Sequence, residues 1–286
     1  MTIRTARRIL PAFRDDIGDL VTRRPLPGPD VDQLDPFLFL NHHGPQIYPP
    51  GNRGLPFGPH PHRGFETVTF ILEGELAHRD SAGHESIIAA GGVQWMTAGR
   101  GLVHAEVSPD DFMRRGGRLE ILQLWVNLPS RLKMTAPRYV GLQQAEIPAF
   151  VEDGGRVIVE PVSGIWSGRA GPIPSLIDVH MATLRFAPGG RLRVPASPGR
   201  TIFLYVVRGG IHVGGTTAAP FNLVEMNDDG AVVELSATAD ALVLLGHAAP
   251  LGEPVVAYGP FVMNTRDEIS EAIRDFQAGR LGDLPS

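Results

Sequence analysis

Apolar and β-branched residues gather in short runs along this chain, and glycine, proline or small polar residues interrupt them at close intervals. Runs of this kind, with no long amphipathic stretches between them, predict strands of an all-β fold. In the first half they fall at 67–72, 75–78, 86–90, 93–97, 102–107 and 119–128. Gly74, the Asp80-Ser81-Ala82-Gly83 turn, Gly91-Gly92, Ala98-Gly99-Arg100-Gly101 and Pro129 close them in order. A second series occupies 156–162, 178–186, 202–207, 211–213, 231–235 and 241–245. Strands at this spacing argue for a sandwich or small barrel in each half.

The two series read as a degenerate repeat. Sliding Gly74 onto Gly209 lays 67–72 over 202–207, and sets Pro195 opposite His60, Ser197 opposite His62 and Thr201 opposite Glu66. The second half keeps the strand pattern and loses the chemistry-bearing side chains. The proline-containing stretch 128–137 is the linker candidate, dividing the chain into an N-terminal domain at 1–134 and a C-terminal domain at 135–286. A single helix is legible at 265–279. Thr265-Arg266-Asp267-Glu268 is a capping box, in which hydroxyl and carboxylate each satisfy an orphan amide. Ile269, Ala272, Ile273 and Phe276 form one apolar stripe, and Gly279 is placed to end the helix.

Composition narrows the function classes. Of 286 residues 43% are hydrophobic, enough for a sizeable core, and Gly (34) and Pro (26) suit many tight turns. The net charge of −5, without a polybasic run, speaks against direct nucleic-acid binding. No stretch has the length of a membrane span, and no apolar leader follows Met1, so a cytoplasmic protein is expected. With no cysteine, disulfides, thiolate ligands and a cysteine nucleophile are excluded.

Against this background two short patterns carry chemistry: His60-Pro61-His62 and His104-Ala105-Glu106. In an extended segment, side chains two apart share a face. Two such strands side by side aim three imidazoles and one carboxylate at a common centre. That donor set suits a first-row transition ion rather than Mg or Ca, with Fe(2+) leading and Mn, Ni, Co, Cu or Zn as alternatives. Taken alone, His60-Pro61-His62 also reads as a solvated turn in a Pro/Gly-rich loop; the second pair is what argues against it. Glu66 is read as an acceptor orienting an imidazole N–H, with direct ligation or pairing to Arg63 as alternatives. His42 and His43 are read as solvated loop residues, His78, Asp80, Ser81 and His84 as decoration of a hairpin turn, and His180, His212 and His247 as isolated. Phe57, Phe65, Trp95 and Met96 are candidate pocket or core residues. Gly99-Arg100-Gly101 lacks the context of a dinucleotide fingerprint.

The residues His60-Pro61-His62-Arg63-Gly64-Phe65-Glu66-Thr67-Val68, Gln94-Trp95-Met96-Thr97-Ala98-Gly99-Arg100-Gly101 and His104-Ala105-Glu106 resemble the pirin family, a branch of the cupin superfamily. Leu122-Gln123-Leu124-Trp125-Val126-Asn127-Leu128 and Gly259-Pro260-Phe261-Val262-Met263-Asn264-Thr265 extend the resemblance over nearly the whole chain. Thr97 stands where the general second cupin motif has proline, and the histidine after it comes two residues late, which is the pirin variant. Asn41-His42-His43 departs from the acidic residues expected after Asp35-Pro36-Phe37-Leu38. The resemblance implies two cupin β-barrels of the double-stranded β-helix or jelly-roll type and a short C-terminal α-helix. It also implies one iron in the N-terminal domain, held by His60, His62, His104 and Glu106.

Two functions compete under that resemblance. The first is a dioxygenase of the quercetin 2,3-dioxygenase type, cleaving a flavonol or related aromatic hydroxy compound with O2 and releasing carbon monoxide. In it Glu106 is the catalytic base. The second is an iron-binding regulatory protein that modulates a partner enzyme or transcription factor, the ligand-free second half serving as surface. An open cleft at the metal favours the first, and a sealed site the second. A sugar- or small-acid-processing cupin is a third reading, which calls for more charge around the site.

Overall fold

Eight strands recur twice in the computed structural model, which describes residues 2–284. In the first set they are β1 (Phe37–Tyr48), β2 (Phe57–His62), β3 (Phe65–Glu73), β4 (Glu75–Asp80), β5 (Glu85–Ala89), β6 (Val93–Thr97), β7 (Leu102–Val107) and β8 (Gly117–Asn127). The second set is β9 (His180–Phe186), β10 (Arg191–Pro195), β11 (Thr201–Arg208), β12 (Ile211–Val213), β13 (Thr216–Ala218), β14 (Asn222–Met226), β15 (Val232–Ser236) and β16 (Ala241–Ala248). One sheet of the first set runs β6-β3-β8-β1 and the other β2-β7-β4-β5. The second set repeats this order as β14-β11-β16-β9 and β10-β15-β12-β13. Each set is a jelly-roll barrel, and every strand has its counterpart eight numbers later. The slide of Gly74 onto Gly209 is therefore a true strand-for-strand correspondence, β3 with β11.

The compact units do not follow the expected 1–134 and 135–286 division. The first barrel's unit comprises 14–24, 37–145 and the chain from Leu251 onward; the other comprises the chain up to Phe13, 25–36 and 146–250. Hydrogen-bonded pairing explains the exchange. Ala6–Pro11 pairs with β14 of the second barrel. The stretch 128–137 is not the boundary, because Arg138–Leu142 beyond it pairs with β6 and so still belongs to the first barrel.

The helix expected at 265–279 spans Arg266–Gln277 with Thr265 as its cap, and both halves of the capping box are made. At its other end the Arg280 N–H reaches the Asp275 carbonyl and the Gly279 N–H reaches that of Phe276. With Gly279 at φ +70°, this is a Schellman ending. Ile269 and Ala272 pack with Phe261, Met263, Leu281 and Val103 of β7. The helix thus docks on the first barrel. A second, short helix spans Asp110–Arg115. No helix among the described residues is long and apolar enough to cross a membrane.

The barrel interiors differ. Val157, Leu184, Leu204, Val206, Val233, Leu235 and Val243 fill the second with aliphatic side chains. In the first, Ile71, Leu76, Ile88, Phe112, Leu119 and Ile121 make a smaller apolar cluster, while His62, His78, Gln94, His104 and Glu106 are also buried.

Candidate metal centre

Antiparallel pairing of β2 with β7 builds the centre. His104 lies directly opposite His60, and Leu102 opposite His62, so the three histidines share one face of the pair. A bulge between His104 and Glu106 then shifts the register. One ligand atom from each of His60, His62 and His104 lies within 4.8 Å of the other two. Their ring centroids are 4.3–4.9 Å apart.

The hydrogen bonds leave lone pairs facing inward. His60 Nδ1–H donates to the Gly58 carbonyl at 2.7 Å, and His62 Nδ1–H to the Pro260 carbonyl at 3.2 Å. In its neutral form each ring therefore keeps a bare Nε2. His104 is fully buried and neither of its nitrogens has a partner. Burial, with His60 beside it, pushes His62 down to about 3. Burial and the imidazoles of His62, His60 and His78 hold His104 well below the ordinary histidine value. Three converging imidazoles, one of them with both nitrogens unpartnered, fit a divalent transition ion.

Glu106 is buried next to this group but outside the set of mutually close ligand atoms. Three side chains bind its carboxylate. Oε1 accepts from Thr69 Oγ1 at 3.1 Å and from Gln94 Nε2, and Oε2 accepts from Gln123 Nε2 at 2.5 Å. Gln94 in turn accepts from the Tyr139 hydroxyl at 3.1 Å. Tyr139 stacks on His78 at 4.1 Å, and His78 lies 5.5 Å from His104. Gln94, Gln123, Thr69 and Tyr139 escape the motif reading. The available signal is an amide in the middle of an apolar strand, as in Leu122-Gln123-Leu124.

Several expectations change. Glu66 does not orient an imidazole: its Oε1 accepts from Thr97 Oγ1 at 2.6 Å, on the face opposite Phe65, Thr67 and Thr69. Its other oxygen is buried without a partner, and burial pushes the carboxyl up to about 7. His42 and His43 are buried strand residues, not solvated loop ones. His42 meets Glu120 at 2.9 Å, and His43 meets Thr22 Oγ1 at 2.9 Å. His78 and Asp80 are likewise buried, bonded at 3.2 Å, rather than turn decoration. His180 and His247 are not isolated, since their rings stand 4.5 Å apart. Phe65 edges onto His62 at 4.9 Å. His60 is the half-exposed member of the three converging histidines, and a shallow, solvent-open depression lined by Pro56, Phe57, Gly58 and Pro59 lies beside it.

Comparison with known proteins agrees with this architecture. Residues 19–126 match the model of the pirin family, and 181–282 that of the pirin C-terminal cupin domain. A pirin-like protein of Caulobacter vibrioides is 41% identical over 268 residues, covering 93% of this chain and 94% of that protein. Human pirin is 38% identical over 270 residues, covering 91% and 87%. The crystal structure of a quercetin 2,3-dioxygenase from Acinetobacter baumannii superposes with a TM-score of 0.92 at 33% identity, over 99% of each chain.

Proposed function

The chain belongs to the pirin family of cupin proteins, and on that footing we propose that its first barrel is a metal-dependent dioxygenase. Its substrates are quercetin, or a related aromatic hydroxy compound, and O2. The observation that carries the reading is the convergence of three imidazoles, His104 without any partner, next to a carboxylate fixed by three donors. His60, His62 and His104 would hold the ion, with Glu106 as a fourth donor. A bound iron or other first-row ion supplies Lewis acidity toward a hydroxyl oxygen and a redox partner for O2.

The protein's own part is proton handling and placement. Oε1 of Glu106 already accepts two hydrogen bonds, from Thr69 and Gln94, whereas Oε2 accepts one from Gln123. Oε2 therefore has the one spare lone pair; it is the one a metal ion would also use, so Glu106 would have to loosen from the ion to take the substrate's hydroxyl proton. Gln94, held by Tyr139, keeps the carboxylate from swinging. Phe57 and Pro59 line the solvent-open depression beside His60, where an aromatic ring could rest against them. The half-exposed His60 is what favours catalysis over the competing reading, an iron-binding regulator of a partner protein.

Oxygen uptake with quercetin, measured on protein loaded in turn with Fe, Mn, Ni, Co and Cu, tests the proposal. Turnover with at least one ion, lost in Glu106→Gln, is expected. No uptake with any of them contradicts it.

A further inference from the structure

The second barrel has lost the ligands but kept an opening. A cavity of about 580 Å³ lies at its mouth, well inside the range of roughly 300–1,000 Å³ typical of small-molecule sites. Ala182, Leu192, Val194 and Leu245 of the barrel core form its apolar floor. Trp166 stands at its side, with the indole N–H donated to Glu152 at 3.2 Å.

His180 of β9 and His247 of β16 lie directly opposite each other at this mouth. Pairing identifies what they replace. In the first barrel Thr67 pairs with Trp125, and Trp125 with Phe39. In the second, Ile202, the counterpart of Thr67 under the Gly74–Gly209 slide, pairs with His247, and His247 with His180. The two histidines thus occupy the place of the stacked Phe39–Trp125 pair that borders His62. A barrel reduced to filler would gain most by keeping that place apolar.

Their hydrogen bonds leave one donor over. His180 uses both nitrogens, Nδ1 accepting from the Ile165 N–H at 3.3 Å and Nε2–H donating to Asp178 at 3.0 Å. His247 Nδ1 accepts from Arg200 Nε at 2.7 Å, and Arg200 is braced on Asp178 at 2.7 Å. Burial beside Arg200 keeps His247 neutral, pushed down to about 3. The ring proton is therefore on Nε2, which has no hydrogen-bond partner among the described residues. At the rim, Arg193 is paired with Glu234 at 2.7 Å, whereas the exposed Arg191 guanidinium makes no hydrogen bond among the described residues. The nearby Asp153 is taken by Arg156 and by the Arg191 backbone N–H.

We propose that this cavity binds a small hydroxylated aromatic acid. The ring lies on the aliphatic floor beside Trp166, the carboxylate faces Arg191, and the hydroxyl oxygen accepts from His247 Nε2–H. This inference is independent of what the first barrel does.

Calorimetric titration of the full chain with hydroxynaphthoate tests it, with naphthoate lacking the hydroxyl and the corresponding hydroxynaphthamide as comparison probes. Saturable binding is expected, weakened about tenfold or more by Arg191→Gln and by Ser197→Trp, an exposed rim position where a large side chain covers the opening. The amide should bind more weakly to the wild type and be indifferent to Arg191→Gln. Removing the hydroxyl should cost affinity in the wild type but not in His247→Leu. His104→Ala, which alters only the first barrel, should bind as the wild type does. No saturable binding, binding untouched by Ser197→Trp, or binding lost in His104→Ala overturns the proposal. Equal affinity for acid and amide overturns the assignment of an acid.

Discussion

The two barrels share a strand order and differ in what fills them. In the first, β2 and β7 carry His60, His62 and His104, and the same interior buries Gln94 and Glu106, joined by the half-buried Gln123 in one hydrogen-bonded group. In the second, Pro195 pairs with Val232 at the point corresponding to His60 and His104, and the interior below is Val, Leu and Ile. Backbone pairing alone therefore does not make a reactive centre. Buried polar groups cost stability unless they are paired, and His104, with both nitrogens unpaired beside His60 and His62, marks the place where a ligand would complete the set. The second barrel gets its stability from aliphatic burial instead.

Removing one imidazole should break this contrast most completely. His104→Ala is expected to lower metal affinity by more than about a hundredfold and to abolish oxygen uptake. Elemental analysis of dialysed protein checks it, and full occupancy in the variant would rule out His104 as a ligand. Glu106→Gln should keep the fold, since a Gln side chain accepts at one oxygen and fills the same space. It should cut turnover by about 100- to 10,000-fold, as loss of a general base does. Turnover within a few-fold of wild type would remove Glu106 from the proton transfer.

The second barrel should respond in the opposite sense. Leu204→Ala, at a position with no solvent exposure in the aliphatic core, should cost about 2–5 kcal/mol in urea unfolding and leave metal content unchanged. A loss of bound metal in that variant would mean the barrels are not separable in this way. The smallest effect concerns Glu66, whose carboxyl is raised from 4.5 to about 7 by burial. Between those values the folded state binds the proton that the unfolded state has released, so stability falls as pH rises through this window and levels off above it. The total is at most about 3 kcal/mol. Glu66→Gln should flatten that slope while keeping the Thr97 contact. An unchanged slope would show that Glu66 is not its source.

Much of this was readable from residues. Val93–Thr97, Leu102–Val107 and Ile211–Val213 fall where the apolar runs put them, because each is bounded by glycine or a charged turn. The helix follows from Thr265-x-x-Glu268 and its stripe. Phe37–Tyr48 and Arg191–Pro195 were not legible as strands. The first contains histidines, a glycine and a proline, and the second alternates arginine with aliphatics without β-branched enrichment. The exchange of terminal segments between units depends on long-range pairing, which no local pattern encodes. At the site, the two-residue spacing puts His60 and His62 on one face, and strand pairing brings His104 to them. The holders of Glu106 were not found, since Gln94 and Gln123 meet it only through strand register.

The central claim, one metal centre in the first barrel and none in the second, is tested most directly by anomalous diffraction from crystals of the metal-loaded protein. The account predicts a single anomalous peak at bonding distance from the Nε2 atoms of His60 and His62 and from a nitrogen of His104. A peak beside His180 and His247, or no peak among the three imidazoles at saturating metal, would contradict it.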